Sequence, residues 1–344
     1  MYDICVVGFG AIGTLYSLVL ERSGKARVTA VCRSNYRVVV DHGVDIVSDK
    51  FGQESAWRPY RVVSTPEEAA DRDYEFIVCC FKALPDIIPT PALIQPLLNK
   101  SKAFVLLQNG IGIESDLQEA SPHATIISGC CWIDTTAVDN GRKVLHSSLE
   151  ILTLGYHRSQ ALHETNQLAL DRFVELLRQG NSTPEPTSNI DAERWRKILW
   201  NASFSTLCTL SRAPVSDLLR KDVISSTMPV IRGLMTEVIR VARAAGIDNN
   251  ELPDAAVDKT IELTVEKYGE DPTGVKQPEY FKPSMTVDLD ARRPMEVEVI
   301  VGGIIRRARK LDVPTPQLDL VYASLRVLQL AILEDVPRVR SGPV

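Results

Sequence analysis

The sequence predicts a doubly wound α/β domain built on a parallel sheet, followed by an all-helical domain. Three observations support this prediction. The chain has 344 residues, more than one hydrophobic core usually organises. Short apolar strands alternate with helical segments in its first half, and only helical periodicity follows the Gly-, Pro-, Ser- and Asn-rich stretch 179–191. The predicted domains are residues 1–188 and residues 189–344.

The first half contains six apolar runs that predict strands and three segments with helical periodicity. The strands are predicted at 4–8, 27–32, 75–81, 103–110, 125–133 and 151–156, and the helices at 11–24, 34–42 and 164–179. Because this alternation places helices on both faces of a sheet, we expect the strands to be parallel and buried. Residues 135–148 predict a β-hairpin whose turn is Asn140–Gly141.

The second half shows helical periodicity almost throughout. The predicted helices cover 191–211, 214–221, 226–245, 253–268, 293–310 and 315–333. Asp191 is the predicted N-cap of the first of these helices. Residues 273–294 lack periodicity, and a long loop in a compact domain is often functional.

Composition and charge narrow the class of partner. A net charge of −5 argues against a nucleic-acid or anionic-membrane binder, and no apolar run approaches the about 18 residues of a membrane span. The N-terminus leads directly into a strand, which leaves no room for a signal peptide. The seven cysteines lack CxxC spacing and the five histidines lack HExxH spacing, so no metal site is expected. We therefore expect a cytoplasmic protein that binds neither nucleic acid nor membranes, and a homodimer is left open.

The segment VVGFGAIG has GxGxxG spacing between a predicted strand and a predicted helix. In that position the first glycine permits a tight turn, the second lets the backbone approach a pyrophosphate, and the third allows close packing. The helix N-terminus offers unpaired N–H groups to the phosphates. The predicted dinucleotide-binding residues of this loop are Gly8, Phe9, Gly10, Ala11, Ile12 and Gly13.

The end of the second strand indicates which dinucleotide is bound. NAD-specific sites usually carry an acidic residue there, whereas this chain has Arg33. A guanidinium can pair with a 2′-phosphate, and Ser34 and Asn35 can add hydrogen bonds. The alternative is a surface arginine that follows a strand. The arginine favours NADP(H).

Two strand ends and one helix face could also carry chemistry. Lys82 and Asn109 follow buried strands, and ligands of open α/β sheets bind at the carboxyl ends of strands. Lys197, Asn201 and Ser205 recur at steps of four in an otherwise apolar helix, which places them on one face. By themselves these patterns fit ordinary loops and a solvated helix edge as well as an active site.

Taken together, several segments resemble the ketopantoate reductases (2-dehydropantoate 2-reductases). They are GFGAIG, FKA, LLQNG, RWRKILWN and PSMTVDLDARRPMEVE, in the order and approximate spacing of that family. The resemblance spans Gly8 to about Arg326. It implies a Rossmann domain followed by a helical domain similar to the C-terminal domain of 6-phosphogluconate dehydrogenases.

The resemblance also implies an activity, the NADPH-dependent reduction of a 2-keto acid to a 2-hydroxy acid. The leading candidate is 2-dehydropantoate reduced to pantoate, a step of pantothenate biosynthesis. By resemblance the catalytic residues are Lys197 and Glu296, the substrate-binding residues are Asn109, Asn201, Ser205 and Ser284, and the cofactor is also approached by Lys82, Asn109 and Glu296. Lys197 would act as the general acid, because an ammonium at the ketone oxygen both stabilises developing charge and donates a proton.

The chain departs from the family pattern at three places. The glutamine that usually follows the PSM methionine is replaced, giving SMTVD. Family members carry a second asparagine one turn beyond the first, where this chain has Ser205, and GCCW at 129–132 replaces a Thr-rich segment and adds the bulk of Trp132. Three alternatives therefore stay open. They are reduction of a different ketone or 2-keto acid, an enzyme that runs in the oxidising direction, and a non-catalytic dinucleotide-binding regulator.

Overall fold

The computed structural model describes residues 1–157, 164–270 and 279–335. The chain divides into two compact units, Met1–Glu193 and Arg194–Val344. The division falls within one helix, Ile190–Trp200.

The first unit contains a ten-stranded sheet with helices packed against it. Its strands are β1 Tyr2–Val7, β2 Ala26–Val31, β3 Val44–Ser48, β4 Gly52–Trp57, β5 Arg61–Val63, β6 Phe76–Cys79, β7 Ala103–Leu106, β8 Thr125–Val138, β9 Lys143–Tyr156 and β10 Pro184–Pro186. Its helices are α1 Ala11–Arg22, α2 Tyr36–His42, α3 Pro66–Ala69, α4 Thr90–Leu93, α5 Ser115–Ala120 and α6 Glu164–Gln179, and α7 Ile190–Trp200 begins in it.

Six of these strands form the parallel sheet that the sequence predicts. Their spatial order is β5-β2-β1-β6-β7-β8, with every neighbouring pair parallel. When the six strands are numbered by their appearance along the chain, this is the 3-2-1-4-5-6 order of dinucleotide-binding α/β domains, in which the strand order reverses between the two central strands. Those central strands, β1 and β6, are almost completely buried because helices cover both faces. The predicted fold class is confirmed.

The predicted hairpin is present but much longer than its pattern indicates. β8 and β9 are each 14 residues long, so the separately predicted strands and the hairpin are one continuous antiparallel pair. Asn140 and Gly141 adopt positive φ angles of 55° and 86° in the turn, as an Asn-Gly turn requires. The additional hairpin β3–β4 joins the sheet through β9. The sequence analysis missed it because the side chains of β4 are mostly exposed and lack alternating polarity.

The second unit is helical in the part of the chain that is described. After α7, its helices are α8 Thr206–Ser211, α9 Val215–Leu218, α10 Ile224–Ala244, α11 Ala256–Tyr268, α12 Ser284–Asp290, α13 Gly303–Lys310 and α14 Pro316–Asp335. Two five-residue π-helical segments interrupt the α-helical pattern, a first π-turn at Asn201–Ser205 and a second π-turn at Glu298–Gly302. The predicted all-helical second domain is therefore confirmed.

Three local predictions are wrong. The predicted loop 273–294 contains α12, although 271–278 lie outside the described residues. The helix predicted at 293–310 begins only at Val297. Asp191 does not cap α7, since the Asn189 side chain accepts the Ala192 N–H at 3.2 Å while Asp191 bonds the His157 ring at 2.7 Å. Asn189, two residues earlier, immediately precedes the helix and its amide oxygen therefore caps the first turn.

The cysteines, the potential metal ligands and the helix lengths bear on disulfide bonds, metal binding and membrane insertion. The seven cysteines are free thiols, and burial raises the pKa of Cys32 and of Cys79 to about 12. Within residues 1–157, 164–270 and 279–335, no group of three His, Cys, Asp or Glu side chains is placed to hold a metal ion. Over the same residues, every helix lacks the length or the apolar character needed to cross a membrane.

A buried carboxylate joins the long hairpin to α1. The Glu150 side chain, on β9, is fully buried and accepts hydrogen bonds from Tyr16 at 3.2 Å, Ser182 at 2.6 Å and Lys50 at 2.6 Å. Burial would raise the pKa of this carboxyl, but the bonds from Lys50 and Ser182 outweigh burial and lower it. The ion pair therefore stabilises the fold above the ordinary pKa of 4.5, and the contribution is lost as pH falls through the lowered value.

The contribution of the Lys50–Glu150 ion pair to stability can be measured by removing the lysine charge. We expect Lys50→Met to lower the free energy of unfolding by about 3 kcal/mol at pH 7, because Glu150 is left buried and charged without its partner. The loss should shrink as pH falls below 4.5 and should vanish only below the lowered pKa of the wild-type carboxyl, where Glu150 is protonated in both proteins. Urea denaturation followed by circular dichroism at pH 7 and pH 4 measures both effects. The control is Lys25→Met at an exposed position, and equal losses in the two variants would contradict the prediction.

Candidate functional site

The glycine loop lies at the reversal point between β1 and β6. A Cβ atom on Gly8, which has a φ of 92°, would lie 2.5 Å from the Phe81 nitrogen, and one on Gly13 would lie 2.1 Å from the Gly8 carbonyl oxygen. Only glycine fits at these two positions. Gly10 differs, since a Cβ there would meet no atom within 4 Å. The space beside Gly10, at the start of α1, is thus an open cradle of backbone at a helix N-terminus, which suits a pyrophosphate.

The loop after β2 is tied to the glycine loop. The Asn35 side-chain amide donates to the Phe9 carbonyl oxygen at 2.7 Å, so this residue joins two loops. The Phe9 ring is buried and stacks on Trp57 at 6.3 Å, which leaves its backbone as the part available to a ligand. Arg33 lies between β2 and α2 with an exposed side chain. An exposed guanidinium at this strand end is accessible to an anionic group.

Lys82 and Asn109 follow the two strands on the other side of the reversal point. Lys82 comes directly after Phe81, whose backbone contacts Gly8, and it is half-buried. Asn109 is also half-buried and follows β7, just before Gly110 with its φ of 105°. The first unit therefore brings the glycine loop, Arg33, Lys82 and Asn109 to the carboxyl edge of four neighbouring strands, β2, β1, β6 and β7.

In the second unit, the predicted polar stripe straddles the junction of α7 and the first π-turn. Lys197 is half-buried near the end of α7, Asn201 begins the π-turn and Ser205 ends it. A π-turn closes i→i+5 hydrogen bonds, so it contains one more residue than an α-turn. The predicted uniform α-helix over 191–211 is therefore wrong at its centre, and Ser205 is not one α-helical turn beyond Asn201. Single π-turns are frequent at functional sites.

Ser205 and Ser284 differ in exposure. Ser205 is 3% exposed, and its carbonyl accepts the Thr209 hydroxyl at 2.7 Å. Thr209 in turn bonds Thr286 of α12 at 3.1 Å, which fixes α12 against this part of the helix. Ser284 is the exposed first residue of α12. The structure thus brings the segment of Ser284 to the helix of Asn201 through buried hydroxyls.

Glu296 lies in the segment that leads into the second π-turn. Its side chain is 6% exposed, and its carbonyl accepts the Ile300 N–H at 3.1 Å, the first bond of the following helix. The first and second π-turns contact each other. This contact brings the segments that carry Lys197, Asn201 and Glu296 together within the second unit. An amine, an amide and a carboxyl carried by neighbouring segments are groups that can bind a polar ligand and transfer a proton.

The sequence analysis missed the residues that hold the Glu296 segment. Glu298 is buried and accepts hydrogen bonds from Tyr322, Arg306 and Arg326. Burial would raise the pKa of this carboxyl, but the three donors outweigh burial and lower it. The only sequence signal is the pair Gly302–Gly303, where a Cβ on Gly302 would lie 2.6 Å from a Glu298 carboxylate oxygen.

Comparisons with protein families match nearly the whole chain. A family described as ketopantoate reductase PanE/ApbA matches residues 4–159, and the corresponding C-terminal family matches residues 189–329. A protein of Nostoc sp. named 2-dehydropantoate 2-reductase is 26% identical over 94% of this chain and 94% of its own length.

Solved structures show the same relationship. The crystal structure of a 2-dehydropantoate 2-reductase from Methylococcus capsulatus is 30% identical and superimposes with a TM-score of 0.78, covering 96% of this chain and 97% of the other. A ternary structure of D-mandelate dehydrogenase with NADH and anilino(oxo)acetate is 19% identical, with a TM-score of 0.77 over 96% of this chain and 99% of the other. The second likeness shows a shared fold.

The glycine loop offers a matched pair of substitutions. We expect Gly10→Ala to keep the free energy of unfolding within about 0.5 kcal/mol of wild type, since its Cβ meets open space, but to weaken dinucleotide binding at least tenfold by filling the cradle. Gly13→Ala should instead destabilise the fold, because its Cβ collides with the Gly8 carbonyl. Calorimetric titration with dinucleotide and thermal unfolding measure the two effects. Unchanged binding by Gly10→Ala would show that the cradle holds no phosphate.

Proposed function

Because the chain belongs to the ketopantoate reductase family, we propose that it is an NADPH-dependent reductase of 2-keto acids, with 2-dehydropantoate as the first candidate substrate. The reaction converts a 2-keto acid, NADPH and a proton into a 2-hydroxy acid and NADP⁺. The observation that supports this proposal is the contact between the two π-turns, one of which directly follows the helix of Lys197 and the other of which begins two residues after Glu296.

Residues of the first unit would hold the cofactor. The backbone cradle at Gly10 fits a pyrophosphate, and the N–H groups of the first turn of α1 would donate to it. Arg33 would pair with the 2′-phosphate, a group that NADPH has and NADH lacks. Lys82 and Asn109 would contact the nicotinamide ribose and the substrate from the edge of β6 and β7. When bound, the cofactor supplies the hydride.

Residues of the second unit would bind the substrate and supply the proton. The Lys197 ammonium would donate a hydrogen bond to the ketone oxygen and then transfer its proton as negative charge develops there. The Asn201 amide, one helical turn beyond Lys197, would hold the same end of the substrate. The Glu296 carboxylate would orient the lysine or accept a hydrogen bond from the product hydroxyl, and Ser284 would bind the substrate carboxylate.

The side chain that the 2-keto acid carries depends on the environment of Ser205. Ser205 is buried and carries a short hydroxyl where family members have a longer amide, so the distal polar group of 2-dehydropantoate would lose a hydrogen bond. A 2-keto acid with an apolar side chain has no such loss. The second candidate function is therefore reduction of a different 2-keto acid, and the assay must compare substrates of both kinds.

The proposed reaction is tested with purified protein and a panel of 2-keto acids. We expect NADPH to be consumed with 2-dehydropantoate, 2-oxoisovalerate or benzoylformate, followed as loss of absorbance by the reduced nicotinamide. Lys197→Ala should lower kcat/KM at least about 100-fold, because the proton donor is removed, while NADPH binding stays unchanged.

The matched control is Lys310→Ala, which removes an exposed lysine from α13 in the same unit. Full activity of Lys197→Ala would overturn the assigned proton donor. A wild-type protein that binds NADPH but reduces no member of the panel would favour the non-catalytic regulator.

The cofactor preference is tested separately at Arg33. We expect Arg33→Asp to weaken NADPH binding at least tenfold while NADH binding is kept or improved, because a carboxylate repels the 2′-phosphate and can bond a 2′-hydroxyl. Titration of both cofactors against wild type and variant measures the ratio. The control is Arg37→Asp, an exposed arginine on α2. An unchanged ratio in Arg33→Asp would refute the 2′-phosphate role.

A further inference from the structure

A buried side-chain amide holds the backbone just before Glu296. Gln329 of α14 is 1% exposed, and its side-chain oxygen accepts the Met295 N–H at 2.9 Å while its nitrogen donates to the Met295 carbonyl at 3.2 Å. Residues 293–296 form no regular secondary structure, so no helical ladder fixes this stretch. The two-bond contact with Gln329 therefore takes the place of such a ladder.

The backbone just after Glu296 is held through Glu298. The Tyr322 hydroxyl donates to the Glu298 carboxylate at 2.7 Å, and Arg326 donates to the same oxygen. Arg306 binds the other carboxylate oxygen at 2.5 Å and the Glu298 carbonyl at 3.2 Å. Glu298 begins the second π-turn, so these donors hold the turn as well as the side chain.

Three of these partners lie on one face of α14. Tyr322, Arg326 and Gln329 are spaced i, i+4 and i+7, which places them in a row along a helix. The row contacts the chain on both sides of Glu296, at Met295 and at Glu298. We call these three residues the α14 clamp.

We propose that the α14 clamp positions Glu296 for the reaction, so that Tyr322, Arg326 and Gln329 are positioning residues. This inference rests on the proposed function, in which Glu296 contacts the lysine or the substrate. A carboxyl displaced by about 1 Å loses much of its contribution to catalysis, so the accuracy of its backbone matters. The clamp supplies that accuracy from both sides of the residue.

The test is a double-mutant cycle between the clamp and Glu296. Tyr322→Phe removes one hydroxyl and keeps the ring, and we expect it to lower kcat/KM for the 2-keto acid about tenfold with NADPH affinity unchanged. In a Glu296→Gln background the same change should lower kcat/KM less than twofold, because the residue that the clamp positions has already lost its function. A merely structural role would give the same loss in both backgrounds.

Two further variants complete the design. Ser324→Ala is the matched control, since this α14 hydroxyl bonds only the Leu320 carbonyl of its own helix among the contacts seen for it, and it should leave kcat/KM unchanged. Gln329→Leu removes both bonds to Met295 and should lower kcat/KM more than Tyr322→Phe does, again only when Glu296 is present. If Gln329→Leu does not fold, the Tyr322→Phe cycle decides by itself.

The outcomes separate this inference from the proposed function. Equal losses in both backgrounds, or no loss in Tyr322→Phe, overturn the positioning role while the reductase activity stands. Full activity in Glu296→Gln also overturns it, with the activity still intact. If the wild-type protein reduces no 2-keto acid, the proposed function fails first and the positioning role fails with it.

Discussion

The first unit depends on a backbone contact that leaves no room for side chains. At Gly13 the start of α1 lies directly on the Gly8 carbonyl, and at Gly8 the end of β1 lies on the backbone of Phe81. These contacts bring the first strand, the first helix and the strand β6 to one point. The open space at Gly10 and the location of Lys82 beside the loop both follow from that approach. A dinucleotide cradle is thus a consequence of how closely three segments can pack.

The second unit depends on a different constraint, the hydrogen bonding of two π-turns. Each π-turn adds a residue to a helix at the cost of the regular i→i+4 pattern, and such turns persist where neighbours stabilise them. The two turns contact each other, and the second is also held through Glu298 by Tyr322, Arg326 and Arg306. Irregular backbone therefore lies next to the proposed catalytic residues, directly after the helix of Lys197 and two residues after Glu296.

Much of the fold could be predicted because the residue pattern of many segments agrees with their burial and position in the folded chain. The apolar strands at β1, β6 and β7 are buried on both faces, and the glycine loop stands where a strand enters a helix. The Asn140–Gly141 turn is encoded by residues that accept positive φ. Prediction failed where two residues could each cap a helix, and where a helix had no clear periodicity. Asn189 caps α7 in place of Asp191, and Ser284 begins a helix within a stretch that has no clear periodicity.

The sequence by itself determined the alternation of buried strands and helices in the first half, the helical second half, the glycine loop, and the residue types that make a reductase the proposed function. Only the tertiary structure decided how the stripe of Lys197, Asn201 and Ser205 is arranged. Periodicity assumes 3.6 residues per turn, whereas the π-turn at Asn201–Ser205 contains an extra residue and packs against α10 and α12, which are distant in the sequence. The same is true of Gln329, which meets Met295 across 34 residues of chain. Contacts between such distant residues leave no mark in a local pattern, because they are chosen by which surfaces can be buried together.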